Sequence, residues 1–403
     1  MGRRFTVLGV AIVSAITFAR GAPTAGAISA GKPHIPAFGP SDGTRLMGLS
    51  CPSPTTCTAV GNYYDPTVFG LVPISERWNG HNWTVEYPPD PKGAGEAFLQ
   101  QVSCASTTAC TAVGYYEGVA GTMSLAESWN GHHWVIQTTP DPSGASDSQF
   151  EAVACPSAVA CTAVGYYDDG GGTARTLVEG WNGHHWTILR SQDSGAGDNS
   201  LYGVSCPSAK VCTAVGQSTS STDAGLTLAE GWNGHTWAIE RTAQPSGSTQ
   251  SNLQAVGCRS ARACTAVGEY ASNAIPELTL AEGWNGHNWA VQDTADPSGA
   301  QDSYLNAVAC PTATACTAVG SATVVTLGEV TLAERWNGHS WTLDDTPGPS
   351  GSTQSSLQAV RCPSMTTCIA VGSYLNATKV FAPLAERWNG KKWTIQPTPD
   401  PSG

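Results

Sequence analysis

The chain has no cysteine and no tryptophan to spare. Its 403 residues include 14 of each, and every one falls at a fixed place in a repeated pattern, two of each per copy. None is left for a lone catalytic thiol or an isolated metal centre. Charge is scarce too: Asp, Glu, Lys and Arg make up 12% of the residues, with 19 basic side chains against 31 acidic ones. A net charge of −12 without a basic cluster excludes nucleic acid as a partner, because phosphate backbones are held by grouped Lys and Arg. No HExxH motif and no complete P-loop occurs, and neither a cofactor nor a metal is expected.

Apolar length is also limited. The run from Phe5 to Phe18 is about two-thirds of the roughly 20 residues a membrane-spanning helix needs. Preceded by Arg3 and Arg4 and followed by Ala25-Gly26-Ala27, it reads as a secretory signal peptide, residues 1–27. Its removal takes three arginines and no acid, leaving a net charge of −15. The expected product is secreted, without stable membrane insertion. Residues 28–45, rich in Gly, Pro and Ser, form a flexible leader to a single domain, 46–403.

That domain is seven copies of one pattern: a CxxxxxC pair, then AVG, then WNGxxW. The first cysteines stand at Cys51, Cys104, Cys155, Cys206, Cys258, Cys310 and Cys362, a period of about fifty residues that points to propellers or solenoids. The sixth copy shows the unit. LNAVAC, apolar on both faces, reads as a buried strand a. CTAVGS from Cys316 is strand b and VTLAERW from Val330 is strand c. Asn337-Gly338 is a hairpin signal with positive φ expected at both positions, HSWTLDDT is strand d, and PGPSGS is an unpaired crossover. Gly, Pro and β-branched residues in every copy exclude a helical solenoid. The fold class is all-β, a seven-bladed β-propeller with four antiparallel strands per blade.

This order of elements resembles kelch-type propellers, the galactose oxidase propeller among them, and Gly338 to Trp341 is similar to the end of the Asp-box turn of sialidase propellers. The chain also resembles secreted actinobacterial repeat proteins of unknown function. What these resemblances imply is fold and compartment; chemistry has to be argued from a site.

Each cysteine pair is expected to close its own a–b hairpin: Cys51 with Cys57, Cys104 with Cys110, Cys155 with Cys161, Cys206 with Cys212, Cys258 with Cys264, Cys310 with Cys316, and Cys362 with Cys368. Opposed residues of antiparallel strands stand at disulfide distance, an exported chain favours oxidation, and seven local pairs do not divide into four-thiolate zinc sites. The glutamate of LAExW, present in all copies, is read as structural, because seven equivalent carboxylates cannot be one catalytic group. The histidines of the WNGH turns are read as solvated.

A meander places the a–b and c–d turns on one side of the disc and the b–c and d–a loops on the other. The b–c loops vary in length and content, and variable loops on a rigid scaffold carry function. Tyr64, Asp65, Tyr116, Glu117, Tyr167, Asp168, Asp169, Tyr270 and Tyr374 are therefore expected to form an aromatic, acidic ligand-binding rim. The function expected is a non-catalytic binding scaffold for an extracellular ligand, a glycan or a protein. A multivalent lectin using repeated tryptophans is the alternative, and a carbohydrate-active enzyme, glycosidase or lyase, the third reading.

Overall fold

The computed structural model describes residues 43–195, 197–220, 224–272 and 277–401; the expected signal peptide and nearly all of the leader lie outside them. Each repeat folds into one antiparallel sheet. In the first, β1 (Arg45–Ser53), β2 (Thr56–Asp65), β3 (Gly70–Trp78) and β4 (Trp83–Glu86) pair in sequence order, as strands a to d. Six further sheets repeat the arrangement, and no helix occurs among the described residues. This is the seven-bladed propeller. Strand a is innermost: β1 packs against strand a of the second blade and strand a of the seventh.

The core lies between blades. Val60 on β2 packs with Leu99, Leu125 and Trp134 of the second blade, all nearly or fully buried. Seven such clusters join consecutive blades around the ring, and each fully buried Leu contributes about 1.5–3 kcal/mol. Because b strands are covered on both sides, they carry Ala and Val in succession instead of alternating with polar residues.

Seven disulfides close the a–b hairpins, each within its own repeat, with Cα separations of 3.9–4.0 Å. Such a set suits an oxidising environment.

The c–d turn differs from the expected two-residue hairpin. Trp336 and Trp341 are directly paired, so strand d begins at Trp341 and four residues make the loop. Only Gly338 has positive φ, +96°. Asn337 instead uses its side chain, whose Oδ1 accepts from the N–H of His339 and of Ser340 at 2.9 and 3.0 Å. This side-chain cap supplies what a second positive φ would have supplied.

No strand is exchanged to close the ring, since β1 pairs with β2 of the same repeat. Closure comes from packing and from the entry to β1. Thr44 N donates to Phe381 O at 2.9 Å, Thr44 Oγ1 donates to Asp400 Oδ1 at 3.0 Å, and the Arg45 guanidinium lies 3.8 Å above the Phe381 ring.

Candidate functional site: the channel mouth on the variable face

Every a strand carries a β-bulge at the same place. The a–b register shifts by one residue between Leu46 and Gly48, and the residue passed over is Met47. Its counterparts are Gln100, Glu151, Tyr202, Gln254, Asn306 and Gln358. A bulge leaves one residue out of the ladder and re-aims its side chain. The b-strand glycine opposite makes room: a Cβ on Gly320 would stand 1.9 Å from the Tyr304 carbonyl oxygen. That close approach explains the glycine in every AVG.

All seven bulged residues line one cavity of about 110 Å³ on the axis. Five residue types occupy seven otherwise equivalent positions, so the propeller's symmetry is broken here. Tyr304, Glu269, Gln101 and Arg361 complete the polar lining, and an adjoining cavity, also about 110 Å³, extends it toward Arg45 and Glu329 between the last two blades.

The lining is a network of hydroxyls, amides and carboxyls. Glu269 Oε1 accepts from Asn252 Nδ2 at 2.7 Å; burial pushes its carboxyl up to about 7, and the Asn252 hydrogen bond opposes that rise. The Tyr304 hydroxyl donates to Glu277 Oε2. Burial, with this bond and the Glu277 charge, raises the Tyr304 hydroxyl well above its ordinary value. Tyr115, Tyr166 and Tyr202 are shifted the same way, by burial first and then by the charge of Glu151. These tyrosines are donors at any physiological pH.

The nine residues expected at the rim are not brought together. Tyr116, Tyr167, Tyr270 and Tyr374 each pack against a different inter-blade core cluster. One residue earlier in the chain, Tyr115 and Tyr166 turn instead toward Glu151, because alternate residues of a strand face opposite sides. Tyr64 is half-buried on β2. The acids organise their own loops: Asp65 accepts from Thr67 N at 2.8 Å, Asp168 from Gly170 N at 2.8 Å, and Asp169 from Gly171 N at 2.9 Å and Arg175 Nε at 3.2 Å. Glu117 is exposed, its backbone paired with residues 95 and 96. Sequence reasoning missed the bulged residues. Their signal was present: the position after the Leu or Phe that opposes the AVG glycine carries Met, Gln, Glu, Tyr or Asn in a strand otherwise built as core.

The repeated residues have structural partners. The glutamates of LAExW are fully buried at blade junctions. The indole N–H groups of four d-strand tryptophans, Trp186, Trp289, Trp341 and Trp393, bond to the preceding blade, as from Trp341 Nε1 to Gln292 Oε1 at 3.0 Å. Among the described residues, no group of three or more His, Cys, Asp or Glu could share a metal ion, and no helix is long and apolar enough to cross a membrane.

No family model matches this chain, and no curated protein matches it in sequence. Its fold is similar to that of YCF48 bound to D1 peptide, 12% identical at a TM-score of 0.50 over 86% of this chain and 92% of that one. A fucose-specific lectin from Aleuria aurantia (11%, TM-score 0.47, 90% and 98% covered) and Sqt1 from Chaetomium thermophilum (11%, 0.47, 89% and 84%) align more loosely. At these identities the likeness is one of fold.

Proposed function

We propose that this protein is a secreted, non-catalytic binding scaffold that takes one ligand per ring at the channel mouth, with the b–c loops as an outer rim. The observation that supports this reading is the set of seven bulged residues, different from blade to blade and converging on one cavity. Neutral amides from Gln100, Gln101, Gln254, Asn306 and Gln358 both donate and accept, Glu151 and Glu269 accept, and Tyr202 and Tyr304 add ring faces. That combination suits a polyhydroxylated ligand, a glycan, whose hydroxyls need paired donors and acceptors and whose C–H faces stack on aromatics. A seven-site lectin built on the tryptophans has less support, because the d-strand indoles are 2–6% exposed.

A glycan array followed by calorimetry tests the reading. The expected result is one site per chain, weakened by Tyr202→Ala and by Gln254→Ala, with the glycan recovered unchanged. A stoichiometry near seven, cleavage of the glycan, or binding indifferent to both substitutions would overturn it.

A further inference from the structure

The opposite end of the channel has different chemistry. A cavity of about 420 Å³ opens there on the disulfide side, lined by the first cysteines of five blades, by the residue before the first cysteine in six, and by the residue after it in three. Immediately before those cysteines the chain has Ser50, Ser103, Ala154, Ser205, Gly257 and Ala309 in six copies, and Arg361 in the seventh. Immediately after them it has Pro or Ala, except for Arg259 in the fifth copy. The only two ionisable side chains at these fourteen positions are thus both arginines, and both line the same cavity.

Arg361 lies at the waist, lining this cavity and the one at the variable face. Its Nη1 donates to Val360 O at 3.0 Å. Among the described residues no carboxylate offsets its charge, and burial alone pushes the guanidinium below its ordinary value. The side chain is half-buried, and a partly desolvated cation without a counter-charge is stabilised by a bound anion. The surroundings reinforce the field. No Asp or Glu occurs between the cysteines of any pair or between the tryptophans of any WNGxxW turn, so this face has no acid in its turns although the chain as a whole is acidic. A concave site with cations and no acids concentrates anions.

We propose that the disulfide-side mouth of the channel is a second binding site, specific for a single oxyanionic group, a carboxylate, phosphate or sulfate, clasped by Arg259 and Arg361. Guanidinium forks match such groups in geometry as well as charge. The Ser103 and Ser205 hydroxyls, which each accept a backbone N–H from the next blade's first cysteine at 2.9–3.0 Å, line or border the same cavity and keep a proton to donate. Arg361 is shared with the cavity at the variable face, and Arg259, which lines this mouth alone, is the residue that tells the two sites apart.

Calorimetric titration of the intact, oxidised protein at low chloride, with inorganic phosphate, sulfate and glucuronate as separate probes, tests the proposal and tells the three chemistries apart. Saturable binding of at least one probe is expected, at one site per chain. Arg361→Ser and Arg259→Ala place in these blades residues that other blades carry at the same positions, so the fold is retained; each is expected to weaken binding at least tenfold. Arg175→Gln, at the start of strand c of the third blade on the variable face, is expected to leave it unchanged. No saturable binding of any probe, or binding unaffected by both Arg361→Ser and Arg259→Ala, would sink the proposal.

Discussion

Glu334 Oε2, on strand c of the sixth blade, accepts a hydrogen bond at 3.0 Å from the backbone N–H of Ala295, in the linker that leaves the fifth. The same link joins Glu282 to Ala243 at 3.0 Å and Glu230 to Gln192 at 3.2 Å. At these three junctions the buried carboxyl of the strand-c glutamate therefore ties one blade to its neighbour. Facing it from the linker at five junctions is an aspartate, whose charge raises the glutamate further: Asp400 for Glu76, Asp90 for Glu127, Asp141 for Glu179, Asp193 for Glu230 and Asp296 for Glu334.

Stability should fall as pH rises. Burial, before any charge effect, pushes Glu230, Glu282 and Glu334 up to about 7 and Glu76, Glu179 and Glu386 up to about 8. A group raised in the folded state contributes stability that is complete below its unfolded value near 4.5 and is lost through its folded value. Melting temperature measured from pH 5 to pH 8.5 should drop, with most of the loss between pH 5 and 8. A flat profile or a rise over that window contradicts the assignment.

Glu334→Gln separates titration from hydrogen bonding. The amide oxygen still accepts from Ala295 but has no proton to lose. At pH 8.5 the variant should exceed the parent by on the order of 1–3 kcal/mol, and at pH 5 the two should match in urea unfolding. Equal curves at both pH values would mean that Glu334 is not held protonated.

The two tryptophans of a turn should differ in cost. Trp341 is 4% exposed and bonded to Gln292, whereas Trp336 is half-buried, its ring 5.7 Å from that of Trp341. Trp341→Ala should cost about 3–5 kcal/mol and Trp336→Ala clearly less, as read by denaturant midpoints. The reverse order would show that the c-strand indole carries the junction.

Removing one disulfide should be tolerated. The Cys310–Cys316 bridge closes a loop with a sequence separation of 6, for which chain entropy gives about 2 kcal/mol. Cys310→Ser with Cys316→Ser should unfold cooperatively with that loss. Peptide mapping of the unreduced parent should find all seven bridges within their repeats; a bridge between repeats would contradict the pairing.

The Asp168–Asp169 loop tests the rim. Both acids cap glycine N–H groups in an exposed turn, so Asp168→Ser with Asp169→Ser should change stability by less than about 0.5 kcal/mol. Calorimetry should show weaker glycan binding, but a smaller loss than Tyr202→Ala causes. Unchanged affinity would remove this loop from the rim.

Much of the fold was legible because it is local and repeated. The CxxxxxC spacing, the strand pattern and the period specify a hairpin, a blade and a ring before any contact between blades is known. Symmetry also pointed to the scaffold: what recurs, such as Glu334 and Trp341, bonds one blade to its neighbour. Where the symmetry breaks was harder to read. Tyr115 and Tyr116 look equivalent in sequence, yet one turns toward Glu151 and the other into a core cluster, because a strand sends neighbours to opposite faces and only the packed ring says which face is which. The same holds for Met47, Glu151 and Tyr202, which are single letters in a buried strand until a bulge, set by the close approach of the opposing glycine, releases each from its ladder. Residue type, period and covalent closure are thus properties of the chain. Which side chains meet on the axis, and which arginine is left there without a counter-charge, are decided by strand register and ring geometry, through contacts between residues that lie hundreds of positions apart.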